Sequence, residues 1–125
     1  MPIDATLPYD ESNIFARILR GEIPARRVYE DEHALAFHDI NAQAPVHILV
    51  IPKGAYVSWD EFSERGSAEE IAGFVRAVGH VAREQGLVAS GYRLLANAGA
   101  DGGQEVPHLH VHLFGGKPLG PMLAR

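Results

Sequence analysis

The sequence predicts an α+β domain, in which an antiparallel sheet of about five strands carries one long helix and a short N-terminal helix. Residues 108–114 alternate histidine with hydrophobic residues, as a strand with two unlike faces does. Residues 47–51 form a nearly continuous apolar run that ends at Pro52, which is typical of a central strand covered on both faces. Residues 67–86 combine a helix-capping pattern with an apolar stripe, so a long helix is expected to pack on the sheet.

The N-terminal segment divides into an arm and a short helix. Residues 1–11 contain two prolines and end in acidic residues, so we predict an arm that is partly disordered, followed by a single domain over residues 12–125. A helix should begin at Ser12 or Asn13 and end at Gly21. Its apolar residues, grouped at helical spacing, are Ile14, Phe15, Ile18 and Leu19.

The next segment predicts a hairpin and the central strand. Arg27–Glu30 and Ala34–His38 are rich in strand-forming residues, and the three-residue polar link between them favours an antiparallel hairpin. Residues 39–45 should form a loop that leads into the central strand at residues 47–51.

The longest helix is expected to begin after Ser67, because Ser67 and Glu70 match the capping-box pattern, and to end near Gly86. Residues 92–97 then predict a fourth strand, and residues 98–105 a glycine-rich link to the histidine strand. The apolar stripe of the helix comprises Ile71, Phe74, Val75, Val78, Val81 and Ala82.

The composition limits the possible functions. The chain has 11 basic and 16 acidic residues without a run of Lys or Arg, so generic nucleic-acid binding is not expected and a phosphate ligand must be held locally. The absence of cysteine excludes disulfides, cysteine zinc sites and thiol catalysis, and is compatible with a reducing compartment. No segment approaches the ~20 apolar residues of a membrane span. We therefore expect a soluble, cytoplasmic protein without a membrane partner.

The side chains of His108, His110 and His112 should project from one face of their strand. Imidazole can act as nucleophile, proton carrier or metal ligand near neutral pH, so this row can hold several catalytic roles. The alternatives are a strand whose solvent face carries histidine, or a purely structural cluster. Residues i and i+4 of a strand lie ~13 Å apart, which argues against one zinc ion bound by all three histidines. Zinc bound by two of them plus His47 remains open.

The glycine-rich link could bring backbone amides close to an anion at the histidine row. Its last residues, Gly103, Gln104 and Glu105, are candidates for substrate binding. Asn97 can add an amide donor, and Asp39 could accept hydrogen bonds from two adjacent hydroxyls such as those of a ribose. Each of these two residues is also common in turns and helix caps.

The stretch HLHVHLF at residues 108–114 resembles the signature of the histidine triad (HIT) superfamily, in which histidines alternate with hydrophobic residues. Residues 12–23, 37–40, 44–53 and 97–116 resemble, in the same order, the purine nucleoside phosphoramidase branch, which implies a HIT-like fold. The uridylyltransferases carry glutamine at the third triad position, and the DNA-deadenylating branch adds a zinc finger. The dinucleoside polyphosphate hydrolases usually lack the ending Phe-Gly-Gly found here, so these branches are less similar.

The resemblance implies a role for each matching residue. His110 would attack the α-phosphorus of a purine nucleoside phosphoramidate, expel an amine and form a nucleotidyl-histidine intermediate that water hydrolyses. His112 and Asn97 would contact phosphate oxygens, while His108 would orient the site from behind, backed by His47. Ribose would be held by Asp39, and the base by an apolar pocket of Ile14, Phe15, Ile18, Ile23 and Ile40.

The resemblance also implies that no metal or other cofactor takes part, and that the protein is a homodimer whose sheets join edge to edge while the long helices pack together. One residue departs from the pattern, because Glu105 stands where many relatives have serine near the leaving group. Two alternatives to a phosphoramidase remain, a nucleotide-binding adaptor with little turnover and a dinucleoside polyphosphate hydrolase. The sequence does not identify a further protein partner.

Overall fold

The computed structural model describes residues 2–123 and confirms the predicted α+β fold with a five-stranded antiparallel sheet. The strand order is β1-β2-β3-β5-β4, so β3 lies at the centre and the last strand inserts between β3 and β4. No helix within residues 2–123 is long and apolar enough to cross a membrane. In chain order the elements are α1 (Ile14–Leu19), β1 (Arg27–Glu30), β2 (Ala34–His38), β3 (Val46–Pro52), α2 (Trp59–Arg65), α3 (Ala68–Glu84), β4 (Arg93–Leu95) and β5 (Val111–Gly115).

The sheet separates two apolar cores, because alternate residues of each strand point to opposite faces. One core packs against α3, and β5 contributes Val111 and Leu113 to it, together with the preceding Leu109. The other core packs against α1 through Phe15 and Ile18. The residues of β2 and β3 in this second core are Leu35, Phe37, Leu49 and Ile51.

The pairing of β3 with β5 decides which histidines become neighbours. Their antiparallel register places Leu49 opposite His112 and His47 opposite Phe114. Because His47 and Leu49 are two residues apart, both point to the α1 side of the sheet. His47 is consequently brought close to His112, at the far end of the row from His108.

The helix starts agree with the sequence, with one exception. Asn13 caps α1 by accepting a hydrogen bond from the Ala16 amide, and Ser67 and Glu70 form the predicted capping box of α3. The short helix α2 was not predicted. Its cap residue Ser58 makes no side-chain cap bond and Phe62 is its buried residue, so it has neither a clear start signal nor an apolar stripe.

Two strands are shorter than predicted. β5 begins at Val111 instead of residue 108, because the amide of Leu109 donates to the Tyr56 carbonyl, outside the ladder. Val111 pairs with Val50, although β3 continues to Pro52. β4 ends at Leu95, so Asn97 follows the strand and is not its last residue. The histidine row therefore lies partly on a strand and partly on the irregular segment before it.

The predicted arm contains neither helix nor strand over residues 2–11, but two of its polar contacts reach the C-terminal part of the chain. The Ile3 amide donates to the Gln104 carbonyl over 2.7 Å, and the Tyr9 hydroxyl lies 2.6 Å from Nδ1 of His108. The arm thus reaches both the glycine-rich loop and the histidine row. The domain boundary at residue 11 and the predicted disorder stay predictions.

Candidate active site

A cavity of about 470 Å³ opens on the α1 side of the sheet and collects most of the predicted site residues. α1 supplies apolar side chains, the loop after β2 supplies a carboxylate, and the histidine row supplies imidazoles. The predicted residues that line it are Ile14, Phe15, Ile18, Ile23, Asp39, Ile40, Asn97, Gly103, Glu105, His110 and His112. His108 and His47 are buried behind this lining.

His110 presents an unprotonated ring nitrogen to the cavity. Its Nδ1 lies 2.8 Å from the carbonyl oxygen of His108. A carbonyl can only accept, so Nδ1 carries the hydrogen and Nε2 keeps its lone pair. Burial lowers the pKa of His110, and the ring packs edge to face on Phe15 with centroids 4.9 Å apart. A neutral, oriented imidazole of this kind is suited to nucleophilic attack.

His112 offers the opposite group, an N–H. The amide of Gln43 donates to Nδ1 of His47 over 3.2 Å, so Nε2 of His47 carries its hydrogen. That hydrogen is donated to Nδ1 of His112, 2.9 Å away, which leaves the hydrogen of His112 on Nε2. The rings of His110 and His112 are 5.1 Å apart, so a lone pair and an N–H stand side by side at the cavity.

The first triad histidine, His108, is completely buried. Its Nε2 donates to the Pro52 carbonyl over 2.8 Å. The expectation that His47 backs His108 is wrong, because the strand register places His47 beside His112 and leaves His108 at the other end of β3. Tyr9 occupies the position behind His108 instead.

The histidine cluster is uncharged at neutral pH. Burial lowers the pKa of His108 to about 4, and burial together with the neighbouring His110 and His47 lowers the pKa of His112 to about 4. Burial also lowers the pKa of His47, against the opposing effect of Asp39. These rings therefore act through a lone pair and N–H groups, while the exposed Arg26 brings a fixed positive charge to the cavity wall.

The carboxylate of Asp39 is partly engaged by its own loop. One oxygen accepts from the Asn41 amide over 2.7 Å, and the other lies 3.4 Å from Nε2 of His47. Each carboxylate oxygen has two acceptor positions, so capacity remains for a ligand hydroxyl. Ile40, next in the chain, is 92% exposed at the rim of the cavity, where an apolar ligand face would cover it.

The glycine-rich loop has a backbone that requires glycine. Gly103 has φ +77°, and a Cβ at Gly102 would lie 2.5 Å from the Ala98 carbonyl oxygen. Gly103 and the exposed Glu105 line the cavity. The Gly103 amide donates to the Ala100 carbonyl and the Gln104 amide donates to the Gly99 carbonyl, each over 3.0 Å, so these two amides are engaged within the loop.

Gln104 is the predicted substrate-binding residue whose side chain the structure places elsewhere. It is 1% exposed, and its amide nitrogen donates to the carbonyls of Val57 and Val106. Its amide oxygen accepts from the Gly99 amide over 3.0 Å. The side chain thus supports the loop from inside, because both of its ends are occupied by backbone partners.

Several cavity residues were missed by the sequence analysis. The polar ones are Arg26, which precedes a predicted strand, His38, which ends another, and Asn41 and Gln43 in the predicted loop. Tyr9, behind His108, was also missed. The arginine pair at positions 26–27 was the only charge signal in this set, and nothing in the sequence distinguishes the other residues from ordinary loop residues.

Among the described residues, the group suited to hold a metal is Asp39, His47 and His112, whose ligand atoms lie within 4.8 Å of one another. This group differs from the zinc alternative of two row histidines plus His47. The Nε2 of His47 and the Nδ1 of His112 already share a hydrogen bond, so a cation would have to displace that hydrogen.

Comparison with known proteins adds a family to this geometry. The family described as "HIT domain" matches residues 20–119. A protein of Azospirillum brasilense named as an uncharacterized 13.2 kDa HIT-like protein is 65% identical over 117 residues, which cover 94% of this chain and 96% of that protein. The purine nucleoside phosphoramidase of Escherichia coli K12 is 43% identical over 114 residues, which cover 91% of this chain and 95% of that protein.

Solved structures agree with the fold. A histidine triad protein from Clostridium difficile has a TM-score of 0.80 at 42% identity and covers 88% of this chain and 95% of its own. A HIT family hydrolase from Clostridium thermocellum has a TM-score of 0.83 at 40% identity and covers 92% of this chain and 99% of its own. The predicted HIT-like fold is therefore confirmed.

Proposed function

The chain belongs to the HIT family, and on this premise we propose that it is a hydrolase that cleaves the P–N bond of purine nucleoside 5′-phosphoramidates. The Escherichia coli relative that is 43% identical bears the name of this activity. The observation that carries the proposal is the pairing of an unprotonated Nε2 on His110 with an N–H on His112 at one cavity. A nucleophile for the phosphorus and a hydrogen-bond donor for its oxygens are two groups that this reaction uses.

The proposed reaction has two halves. Nε2 of His110 forms a bond to the α-phosphorus while the P–N bond breaks, and the departing nitrogen takes up a proton from water to leave as the amine. The hydroxide formed from that water attacks the phosphorus and breaks its bond to His110, while the N–H of His112 donates a hydrogen bond to a phosphoryl oxygen. The products are a nucleoside monophosphate and an amine, and both histidines recover their initial states.

Each step uses side chains and water, so the proposed reaction includes no metal or other cofactor. Charge on the phosphoryl oxygens would be stabilised by Asn97 and by the Nε2 hydrogen of His112. Asp39 would bind the ribose hydroxyls. Burial of the base against α1 is supported by the apolar lining, which comprises Ile14, Phe15, Ile18, Ile23 and Ile40.

A homodimer and a cytoplasmic location belong to the same proposal. A second cavity of about 640 Å³ lies on the α3 side of the sheet and is bounded by α3 and the edge strand β4. Trp59, Val75 and Leu94 expose about half of their surface there. A second copy of the chain would cover this apolar surface and the edge of β4 beside it. The absence of cysteine is compatible with the reducing cytoplasm.

The proposal is tested by incubating the purified, metal-free protein with adenosine 5′-phosphoramidate and measuring release of the monophosphate. A parallel incubation with a diadenosine polyphosphate separates cleavage of a P–N bond from cleavage of a P–O–P bridge. We expect turnover of the phosphoramidate to exceed that of the polyphosphate. Tight nucleotide binding without turnover of either compound would support an adaptor and contradict the enzyme.

A further inference from the structure

A tyrosine of the N-terminal arm reaches the buried end of the histidine row. The hydroxyl of Tyr9 lies 2.6 Å from Nδ1 of His108, although the two residues are 99 positions apart in the chain. Their rings meet edge to face with centroids 5.6 Å apart. Tyr9 is not part of the cavity lining, so its contact is with the site and not with the space for a ligand.

The partners of His108 determine the direction of this hydrogen bond. Nε2 of His108 is 2.8 Å from the Pro52 carbonyl, which can only accept, so Nε2 carries the hydrogen. In a neutral imidazole Nδ1 then accepts, and the Tyr9 hydroxyl is the donor. Burial lowers the pKa of His108 to about 4 and raises the pKa of the Tyr9 phenol, so at neutral pH the acceptor is free and the donor keeps its hydrogen.

His108 in turn orients the nucleophile through its backbone. Its carbonyl oxygen accepts the Nδ1 hydrogen of His110 over 2.8 Å, which is the contact that directs Nε2 of His110 to the cavity. The ring of His108 is fixed at both nitrogens, by Pro52 and by Tyr9. Phe15 touches both histidine rings edge to face, so a shift of one ring affects the packing of the other.

We propose that Tyr9 is a positioning residue of the active site, which holds His108 in its Nε2-protonated form and thereby keeps the His108 carbonyl aligned with His110. This inference rests on the proposed function for its kinetic consequence. The arm is fixed at a second point as well, since the Ile3 amide donates to the Gln104 carbonyl beside the glycine-rich loop. The arm therefore contacts the site at two places, His108 and Gln104.

The first test is spectroscopic and independent of turnover. Nitrogen–proton correlation spectra of ¹⁵N-labelled protein report which ring nitrogen of each histidine carries hydrogen. In Tyr9→Phe, we expect the His108 Nδ1 resonance to move toward that of a nitrogen without a hydrogen-bond donor. The matched control is Tyr29→Phe. The Tyr29 hydroxyl donates to Asp31, and Tyr29 packs against the core on the α3 side of the sheet, so this substitution should leave the His108 resonances in place.

The second test is kinetic, on adenosine 5′-phosphoramidate. Loss of one neutral hydrogen bond corresponds to about a two- to twelvefold effect, and we expect it in kcat with KM unchanged, since Tyr9 does not contact the ligand space. Tyr29→Phe should retain the wild-type kcat. Thermal unfolding of both variants shows whether either substitution disturbs the fold.

The outcomes separate this inference from the proposed function. An unmoved His108 Nδ1 resonance in Tyr9→Phe, or a wild-type kcat in that variant, would overturn the role of Tyr9. A moved resonance with reduced kcat and unchanged KM supports it. If the wild-type protein itself gave no turnover, the proposed function would fail, and the nitrogen spectra would still decide whether Tyr9 fixes His108.

Discussion

His47 and His112 share a hydrogen bond across two neighbouring strands, with Nε2 of His47 2.9 Å from Nδ1 of His112. The bond fixes the hydrogen of His112 on its Nε2, because Nδ1 of His47 is already occupied by the Gln43 amide. The neighbouring His110 has the opposite arrangement, with a free Nε2. Their different hydrogen-bond partners thus leave a lone pair on the Nε2 of one imidazole and a hydrogen on the Nε2 of the other.

The nucleophile is tested by His110→Ala. We expect turnover of adenosine 5′-phosphoramidate to be lost while nucleotide affinity stays within about tenfold, since the change removes the attacking nitrogen and leaves the rest of the cavity. Rapid quenching of the wild-type protein with substrate should show the added mass of one nucleotidyl group on the peptide that contains His110. Wild-type turnover in His110→Ala would refute the assignment.

The ribose contact is tested by Asp39→Ala and Asp39→Asn. A carboxylate that accepts from a ribose hydroxyl contributes on the order of 1.5 to 3 kcal/mol, so both variants should lose more affinity for ribonucleotides than for 2′-deoxyribonucleotides. Asp39→Asn retains an oxygen for the Asn41 amide and so serves as the control for loop structure. Equal losses for the two sugars, measured by calorimetry, would mean that Asp39 only caps its loop.

The exposed carboxylate of Glu105, which lines the cavity, should influence the choice of leaving group. It repels anionic groups and attracts a cationic amine, so Glu105→Gln and Glu105→Ser should lower kcat/KM for substrates with a charged alkylamine relative to neutral ones. Added salt should reduce the difference, because exposed charges are screened. Glu64→Gln, on α2 away from the cavity, is the control. A ratio unchanged from wild type at low salt would exclude this role.

The second cavity, an apolar groove bounded by α3 and β4, predicts a homodimer. Light scattering at micromolar concentration should give twice the chain mass of 13.6 kDa. Val75→Glu places a charge in the groove and should yield monomers, whereas Val88→Glu, equally exposed but outside the groove, should not. A monomeric wild-type protein with full activity would remove the dimer from the proposal.

The buried histidines predict a loss of stability in acid. The pKa of His108 is about 4 in the folded protein against 6.5 for an ordinary histidine, so between these values the unfolded chain binds more protons. The free energy of unfolding should therefore fall as pH decreases from 6.5 toward 4, by on the order of 3 kcal/mol from His108 alone. Above pH 6.5 this contribution should be fully present.

Denaturant unfolding across this pH range measures the effect. His108→Gln should give a shallower dependence on pH than the wild type. Leu109→Ala, at an adjacent position that is also fully buried, should lose about 2 to 5 kcal/mol at every pH while keeping the wild-type slope. Equal slopes for His108→Gln and the wild type would show that another group controls the acid transition.

The elements with strong periodic or capping signals were predictable from the sequence. The capping box at Ser67 specifies one local structure, which is present, whereas the alternation of the histidine row forms a strand only from Val111 onward. α2 was not predicted because a seven-residue helix with Phe62 as its buried side chain has no periodic pattern to detect. The start of β5 depends on the bond from the Leu109 amide to the Tyr56 carbonyl, which is distant in the chain, so it could not be predicted from the local sequence.

The members of the site were more predictable than their contacts. A motif identifies which residues cluster, but the direction of a side chain in an irregular loop depends on backbone partners far away in sequence. Gln104 is buried against Val57 for this reason. His47 neighbours His112 because of the strand register, and Tyr9 reaches His108 from a segment with no pattern of its own.

The strand order also determines when the site can form during synthesis. β1, β2 and β3 can pair as soon as Pro52 has left the ribosome, but β4 has β5 as its neighbour and must wait for it. The contacts that assemble the histidines span 65 and 99 residues, and such distant contacts are slow to form. The complete cavity is therefore absent while the first three strands assemble, and a ligand of this cavity would stabilise only the completed protein, by mass action.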